Sequence, residues 1–427
     1  MDLSRLRNSS PRGRMRLAGL ALGVVVAVAG VTAAGAHAAS AGPGAGSGSG
    51  RVTGRANGRA DGHAVIAGYY YPSSGMPVSS IPAGKLTDVI YAFSLINSSG
   101  KCYIPSSEHP AREFAALAAL KRRHPGLKTE ISIGGWGAGG FSDAALTPRS
   151  RAAFVSSCVG LFFGKYRGAF DGIDLDWEFP VSGGPPSLTS RPSDKAHYTL
   201  LLRRFRAALD AAGARLHEHL LLTAALPAGR LQSAGPYDPA HSYQLPQVGK
   251  LLDWTNLMTY DLEDGYSKYS GFDSPMNTSP ADPTSEAIKK WNSVAGATDF
   301  YERHGVPADK IVLGEPYFSL AFKVASARDD GLYQPITGPA TAPSWSEIAS
   351  SYLKNPAWSR HWSQTAQAPW LFDAKKKTFI TYDDPASLLA KSEFARERGL
   401  RGVFTWALDE DDAQHSLLDA MSAPFRR

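Results

Sequence analysis

Short hydrophobic runs rich in β-branched and aromatic residues recur between residues 64 and 408 and predict strands. They lie at 64–70 (AVIAGYY), 88–96 (DVIYAFSLI), 128–135 (KTEISIGG), 170–179 (FDGIDLDWEF), 220–227 (LLLTAALP), 254–261 (WTNLMTYD), 310–318 (KIVLGEPYF) and 401–408 (RGVFTWAL). Amphipathic helical patterns separate several of them, at 110–124, 150–166 and 196–213. Strands that alternate with helices favour parallel pairing, and eight of them match a closed (β/α)8 TIM barrel of the α/β class.

One interval breaks this alternation, between the seventh and eighth predicted strands. It contains LYQPITG, PWLFDAKKKTFITYDD and four tryptophans, Trp345, Trp358, Trp362 and Trp370. Residues 385–399 supply the helix that must precede the eighth strand. We therefore predict a small α+β insertion subdomain at 319–384, within a catalytic barrel at 64–427.

The N-terminal region differs in composition from the rest of the chain. Five arginines, an apolar run and AHA at 36–38 follow one another, which predicts a secretory signal peptide at 1–38 with cleavage near Ala38. An uncleaved anchor is the alternative, because the apolar run approaches the length of a bilayer span. Residues 39–63 are rich in Gly, Ala, Ser and Arg and predict a flexible linker. The sequence thus predicts a secreted, extracellular protein.

Charge and cysteine content narrow the function classes. The formal net charge of +6 comes from arginines in the first 64 residues, so a basic groove for nucleic acid is not supported. Cys102 and Cys158 either form a disulfide, as export would allow, or remain thiols, with Cys158 a small buried residue of a helix. No metal-binding spacing or phosphate-binding loop is present in the sequence, so no cofactor or metal is expected.

The run FDGIDLDWEFP, at 170–180, places four acids in a predicted strand. Alternation puts Asp174, Asp176 and Glu178 on one face, and Ile173, Leu175 and Trp177 on the other. The apolar face suits packing against the outer helices, so the three acids should point into the barrel. Asp171 has the opposite parity and is expected to serve structure.

Buried carboxylates are unfavourable unless they are paired, and like charges a few Å apart cannot all stay ionised. A solvated edge strand, an ion-pair network and a Mg²⁺ or Ca²⁺ site are alternatives, although residues along one strand do not encircle an ion. A protonated acid beside an ionised one is the arrangement that glycoside hydrolysis requires. Glu178, nearest the mouth, would be the proton donor.

These residues resemble glycoside hydrolase family 18, whose signature is D-x-x-D-x-D-x-E. SIGG (132–135), MTYD (258–261), GVFTWALDED (402–411) and FITYDDPASLLAKSEFARERGLRG are similar to further motifs of the family, the last to the end of its α+β insertion. The segment GEPYFSL departs from the family's seventh strand at Phe318 and Ser319 and lacks its arginine.

The resemblance implies a substrate-assisted retaining mechanism, an exception to the two-carboxylate rule. Glu178 would be the general acid and base, Asp176 would bind the substrate's acetamido N–H, and Asp174 would share a proton with Asp176. Tyr260 would hold the acetamido carbonyl in attack geometry.

Further residues are assigned to the sugar-binding cleft. Trp406 would be the apolar floor under the distorted sugar, with Asp261 and Met258 beside it. Trp136, Tyr69 and Phe93 either stack on sugar or pack in the core, and Ser132 either binds substrate or bonds the backbone. Phe179 and Gly135 complete the predicted substrate-binding set, whereas Gly134 is expected to allow close backbone approach.

The sequence therefore predicts a secreted, monomeric chitinase that acts on chitin and N-acetylglucosamine oligosaccharides, with no nucleic-acid partner and no membrane partner after signal cleavage. An endo-β-N-acetylglucosaminidase on N-glycans, a peptidoglycan hydrolase and a non-catalytic chitin-binding lectin are the alternatives. Family lectins usually lose the glutamate, which this chain retains as Glu178. We expect endo action on β-1,4 linkages, although the sequence does not separate endo from exo cleavage.

Overall fold

Eight parallel strands close into a barrel in the computed structural model, which describes residues 64–232 and 235–426. The barrel and insertion strands, in chain order, are β1 (Val65–Tyr70), β2 (Asp88–Ile96), β3 (Lys128–Gly134), β4 (Gly172–Asp176), β5 (Leu221–Pro227), β6 (Trp254–Met258), β7 (Ile311–Pro316), β8 (Leu320–Lys323), β9 (Ser359–Ser363), β10 (Ala368–Asp373), β11 (Thr378–Thr381) and β12 (Gly402–Trp406). The barrel order is β1-β12-β7-β6-β5-β4-β3-β2, and β2 pairs with β1 to close it. This confirms the predicted (β/α)8 TIM barrel.

The helices surround the barrel and cover its outer face. The main ones are α1 (Pro110–Arg123), α2 (Pro148–Val159), α3 (Asp194–Leu216), α4 (Leu245–Leu251), α5 (Val294–Arg303), α6 (Trp345–Ser350), α7 (Pro385–Glu397) and α8 (Ser416–Ser422). Sequence signals fix the start of α7, because the Asp384 side chain caps the backbone N–H groups of Ala386 and Ser387 ahead of the first-turn Pro385. Within the described residues no helix has both the length and the apolar character needed to cross a bilayer.

Alternation along β1 shows how the sequence divides the two cores. Val65, Ala67 and Tyr69 pack inside the barrel, whereas Ile66 and Tyr70 pack in the outer layer between strands and helices. Because successive strand residues point to opposite faces, each strand serves both layers. The interior layer is small and ends at the mouth in partly buried aromatic rings, which leaves the carboxyl ends of the strands open for a site.

A four-stranded antiparallel sheet of order β8-β11-β10-β9 lies between β7 and β12 in the chain, where the sequence predicts the insertion. It has its own aromatic core around Phe322, Phe372 and Phe379. Hydrogen bonds tie it to the loop after β6: Ser270 donates its N–H to the Gln334 carbonyl at 2.9 Å, and Asp273 donates to Thr381 Oγ1 at 3.0 Å. The insertion thereby supports the loop that follows the carboxyl end of β6.

Two predicted segments, the signal peptide at 1–38 and the linker at 39–63, lie outside the described residues. The open question about the cysteines is decided by the structure: Cys102 and Cys158 form a disulfide with a Cα–Cα distance of 5.1 Å. The bond joins the segment after β2 to helix α2.

Replacing both cysteines, Cys102→Ala with Cys158→Ala, should lower the free energy of unfolding by about 4 kcal/mol, because the bond closes a long loop in the unfolded chain. The cysteines are 56 residues apart in sequence. Urea unfolding of the double variant and the oxidised wild type measures the difference. Equal unfolding free energies would show that the bond does not constrain the unfolded protein.

Candidate active site

Three acids rise through the barrel towards its mouth. Asp174 and Asp176 lie on β4 and are buried, and Glu178 stands two residues beyond the end of β4 and is half-buried. Ile173, Leu175 and Trp177 pack in the outer core instead. The alternation of the sequence thus places the acids on the inner face, at the end of the barrel where (β/α)8 folds carry their sites.

Asp174, the deepest of the three, accepts hydrogen bonds from four side chains. Its Oδ2 accepts from Ser132 Oγ at 2.7 Å and the Tyr69 hydroxyl at 3.0 Å. Its Oδ1 accepts from Thr223 Oγ1 at 2.8 Å and Asn256 Nδ2 at 3.1 Å. Burial raises the pKa of Asp174, whereas these donors lower it by stabilising the ionised form.

Asp176 differs, because its Oδ1 has no hydrogen-bond partner among the described residues. Burial raises the pKa of Asp176 well above its ordinary value, and the neighbouring charges of Glu178 and Asp174 raise it further. A buried carboxyl group with a free oxygen can accept a hydrogen bond from a ligand without first losing one in the protein.

Glu178 is nearest the open end of the acid column. Burial raises the pKa of Glu178 to about 8, with a further contribution from the Asp261 carboxylate. Glu178 therefore carries a proton at neutral pH and can donate it to a bound molecule. This is the protonation state that a general acid needs.

Aromatic side chains form the surface beside the acids. Trp406, at the end of β12, stacks on Phe93 with ring centroids 5.5 Å apart and an interplanar angle of 18°. It also contacts the rings of Tyr69 at 5.4 Å and Tyr71 at 6.2 Å. Since Tyr69 bonds Asp174, a single residue separates Trp406 from the acid column. The half-buried indole suits the apolar face of a sugar ring.

Tyr260 and its neighbours come from the loop that follows β6. The Tyr260 ring packs edge-on against Phe318 at 5.5 Å, so one of the residues that depart from the family pattern supports it. Burial raises the pKa of Tyr260 well above its ordinary value, and Asp176 adds to this, so the phenol keeps its proton and can donate it. Asp261 is exposed in a left-handed conformation, and Met258 is partly buried beside the interior core.

A second aromatic group lies at the rim of the cleft. Trp136 is 42% exposed, and its ring lies 6.5 Å from that of Tyr266, which is 41% exposed. Tyr266 was not among the sequence predictions. The signal that could have found it is an aromatic residue in a polar loop directly after a strand that ends at the site.

The comparisons with known proteins agree with this geometry. The profile described as Glycosyl hydrolases family 18 matches residues 65–411. The chain belongs to glycosyl hydrolase family 18. It is therefore a glycoside hydrolase, and the acid column of β4 carries the motif by which the sequence resembles the family.

Relatives within family 18 come from distant organisms. Chitinase A1 of Niallia circulans is 37% identical over 305 residues, which cover 69% of this chain and 42% of that protein. Chitotriosidase-1 of Mus musculus is 31% identical over 80% of this chain and 70% of its own length. The chain thus spans less than half of one curated relative and more than two thirds of the other.

A solved structure shares the fold over most of the described residues. The family 18 N-acetylglucosaminidase from Paenibacillus barengoltzii has a TM-score of 0.74 and 33% identity, covering 84% of this chain and 99% of that one. Because 84% of this chain is covered, the shared fold includes the insertion as well as the barrel.

Some residues predicted to bind substrate in this family 18 chain lie beneath the cleft surface. Ser132 and Tyr69 are buried, the latter 1% exposed, and their hydroxyl groups bond Asp174. Phe179 is 5% exposed and packs on the Tyr237 ring at 5.5 Å. In the structure these side chains contact protein groups and support the site, and their contact with substrate stays a prediction.

Gly134 and Gly135 connect β3 to the acid strand. A side chain on Gly134, whose φ is 123°, would place its Cβ 2.0 Å from the Asp176 carbonyl oxygen. Gly135 donates its N–H to that same oxygen at 2.9 Å. Close backbone approach, expected for Gly134, is therefore also seen at Gly135, whose contact with substrate stays a prediction.

Asp171 lies at the base of β4, away from the cleft. Its carboxylate lies 2.8 Å from the ammonium of Lys121 and accepts the Thr129 N–H at 2.8 Å. This is the structural position that its parity predicts. Among the described residues, three non-proline cis peptide bonds occur: Ala92–Phe93 within β2, Glu178–Phe179 just beyond β4, and Trp406–Ala407 at the end of β12.

Sequence reasoning missed the lower part of the site. Thr223, Asn256 and Glu130 are all fully buried inside the barrel beneath or beside Asp174. The available signal was parity, because Glu130 lies two residues before Ser132 on the same strand face. Within the described residues, no group of three or more His, Cys, Asp or Glu side chains is arranged to hold a metal ion.

Proposed function

We propose that the chain is a chitinase that hydrolyses β-1,4 bonds between N-acetylglucosamine units by a substrate-assisted retaining mechanism. The observation that carries the proposal is the graded acid column: a neutral Glu178 at the mouth, Asp176 with a free oxygen below it, and Asp174 held by four donors. The names of the relatives, among them Chitinase A1 and Chitotriosidase-1, support the same substrate class.

In the first step, Glu178 gives its proton to the glycosidic oxygen as the bond to the anomeric carbon breaks. The acetamido carbonyl oxygen of the same sugar attacks that carbon and forms an oxazolinium ion. Asp176 accepts the acetamido N–H and stabilises the positive charge, and the Tyr260 hydroxyl holds the carbonyl. Ionised Glu178 then takes a proton from the water that opens the oxazolinium ion, which restores the enzyme and retains the β configuration.

The insertion supports the choice of chitin over other N-acetylglucosamine substrates. Its sheet is hydrogen-bonded to the loop that carries Asp261 and Tyr266, and this support of the loop suits a cleft for an extended chain of sugars. We further propose that the enzyme acts outside the cell as a monomer. The support for export is the predicted signal peptide at 1–38.

Incubation of the purified protein with a chitin hexamer tests the proposal. We expect shorter N-acetylglucosamine oligomers whose new reducing ends are first β anomers, as proton NMR detects. A glucosamine hexamer is the matched control and should stay intact, because it lacks the attacking acetamido oxygen. If the protein instead released only glycan from a high-mannose glycoprotein, it would be an endo-β-N-acetylglucosaminidase, and if it released only fragments of peptidoglycan, a peptidoglycan hydrolase. Tight binding of the chitin hexamer without hydrolysis would favour a lectin.

A further inference from the structure

A second buried acid lies below the catalytic column. Glu130 on β3 is fully buried in the barrel interior. Its Oε2 lies 2.7 Å from the Thr223 hydroxyl oxygen, which itself lies 2.8 Å from Asp174 Oδ1. Thr223 thus bridges two carboxyl groups, one in the acid column and one outside it.

The bridge requires a proton on one of the two acids. A threonine hydroxyl has one hydrogen, so it donates to one carboxyl group only. At distances of 2.7 and 2.8 Å both contacts are hydrogen bonds. The hydrogen of the second bond must therefore come from a protonated Glu130 or a protonated Asp174.

The surroundings place that proton on Glu130. Asp174 also accepts hydrogen bonds from Ser132, Tyr69 and Asn256, which favour its ionised form. Glu130 has no such support, since its Oε1 has no hydrogen-bond partner in the described part of the chain. The direction of the bridge is then Glu130 to Thr223 to Asp174.

Nearby charges agree with this direction. Burial raises the pKa of Glu130 well above its ordinary value, and the carboxylates of Asp88 and Asp174 raise it further. The charged groups around Glu130 come from several elements: Asp88 on β2, Asp174 on β4, Asp253 before β6, and Lys128 and Arg401, which act on Asp88. The three charged groups that act on Glu130 itself are all acidic, so none of them favours its ionised form. Asp253 is itself paired with the guanidinium of Arg206 at 3.1 Å.

We propose that Glu130 is a positioning residue for the reaction: a neutral acid that donates through Thr223 and keeps Asp174 ionised. In the resting protein, ionised Asp174 favours a proton on Asp176, its neighbour on the same strand face. In the proposed reaction that shared proton passes to Asp174, and Asp176 becomes the anion that faces the oxazolinium charge. No covalent bond between heavy atoms changes. If Glu130 passes its proton to Thr223 while Thr223 passes its own to Asp174, the bridge reverses and Asp174 becomes neutral. The inference rests on the proposed function for the roles of Asp174 and Asp176.

Infrared difference spectroscopy on the full protein tests the protonation state without any assay of activity. We expect the difference spectrum, obtained at neutral pH by subtracting the spectrum of the Glu130→Gln variant from that of the wild type, to contain the carbonyl stretch of one neutral carboxylic acid. Thr223→Val should shift that band to higher frequency, because the acid loses its acceptor. Loss of a carboxylate band in Glu130→Gln would show that Glu130 is ionised and would overturn the proposal, whether or not chitin is the substrate.

Kinetics on the chitin hexamer test the positioning role. Glu130→Gln should lose less of kcat/KM than Thr223→Val does, because its amide N–H can replace the acid O–H as donor. Thr223→Val should lower kcat/KM about tenfold. It should also move the acid limb to higher pH, since Asp174 with fewer donors is harder to ionise.

Thr223→Ser is the matched control and should restore both the rate and the acid limb. A wild-type pH profile in Thr223→Val, or a loss that serine does not rescue in a folded variant, would contradict the relay. Circular dichroism and melting temperature establish that each variant is folded.

Discussion

Glu178→Gln should lower kcat for chitin-hexamer hydrolysis by about 10³-fold, with little change in KM. Glutamine has nearly the same size and shape as glutamate but cannot donate a carboxylic proton to the leaving oxygen. General acid–base catalysis contributes typically ~10²–10⁴-fold, and here one residue serves both steps. The half-buried position of Glu178 at the mouth leaves room for the amide. Product release followed by chromatography at saturating substrate measures the effect.

The same residue should set the alkaline limit of activity. The acid form of Glu178 is present below a pKa of about 8 and is lost as the pH rises through that value. The wild-type kcat/KM should therefore fall on the alkaline side near that pH, and Glu178→Gln should lose this dependence along with most of the rate.

Glu315→Gln is the matched control for this substitution. Burial raises the pKa of Glu315 to about 8 as well, but its carboxyl group faces helix α7 and accepts from Ser392 Oγ at 2.7 Å. Its rate and alkaline limb should match those of the wild type. Comparable losses in both variants would mean that a buried neutral glutamate supports the fold rather than the chemistry, and the assignment of Glu178 would be withdrawn.

Asp176→Asn should lower kcat by about 10²–10³-fold, the size of the effect seen when one electrostatic contact to a transition state is removed. Asp176 is buried, and no described residue hydrogen-bonds its Oδ1, so in the proposed mechanism this oxygen is the one that meets the substrate. Asparagine keeps the shape but cannot become the anion that faces the oxazolinium charge. The kcat and KM for the chitin hexamer separate this from a binding defect, because KM should change far less than kcat.

Asp171→Asn is the control from the same strand segment. It loses the contact with Lys121 at the base of β4, so its melting temperature should fall while kcat stays near the wild-type value. If Asp176→Asn lowered only the melting temperature, or if Asp171→Asn lost as much kcat, the two acids would not have the separate roles that their positions indicate.

The upper part of the site was predictable from local pattern, and the lower part was not. Asp174, Asp176 and Glu178 share a face because alternation is a property of one strand. The donors that define Asp174 lie on other strands, separated in sequence by 42 residues for Ser132, 82 for Asn256 and 105 for Tyr69. The register between neighbouring strands of the barrel decides which of these side chains contact Asp174. The hydrophobic pattern of the sequence does not determine that register.

Register also explains why several predicted site residues lie below the cleft surface. Ser132 and Tyr69 have the right parity for the cleft, but their depth along the strand puts their hydroxyl groups level with Asp174. Phe179 follows the acid in sequence, yet its ring packs beneath the surface on Tyr237. Parity tells which face a side chain takes, whereas height above the barrel floor decides whether it reaches the substrate.

By itself the sequence determined the barrel, the inserted segment, the inward face of the acids and the structural place of Asp171. These features follow from the periodicity within each strand and from the order of strands and helices, and both can be read along the chain without knowing any distance in space. Tertiary structure alone decided the Cys102–Cys158 bond, the exposed pair of Trp136 and Tyr266, and the bridge from Glu130 through Thr223 to Asp174. Each of these depends on the distance between atoms far apart in the chain. The closure of the barrel sets these distances, and the distances decide which groups form a bond or a contact.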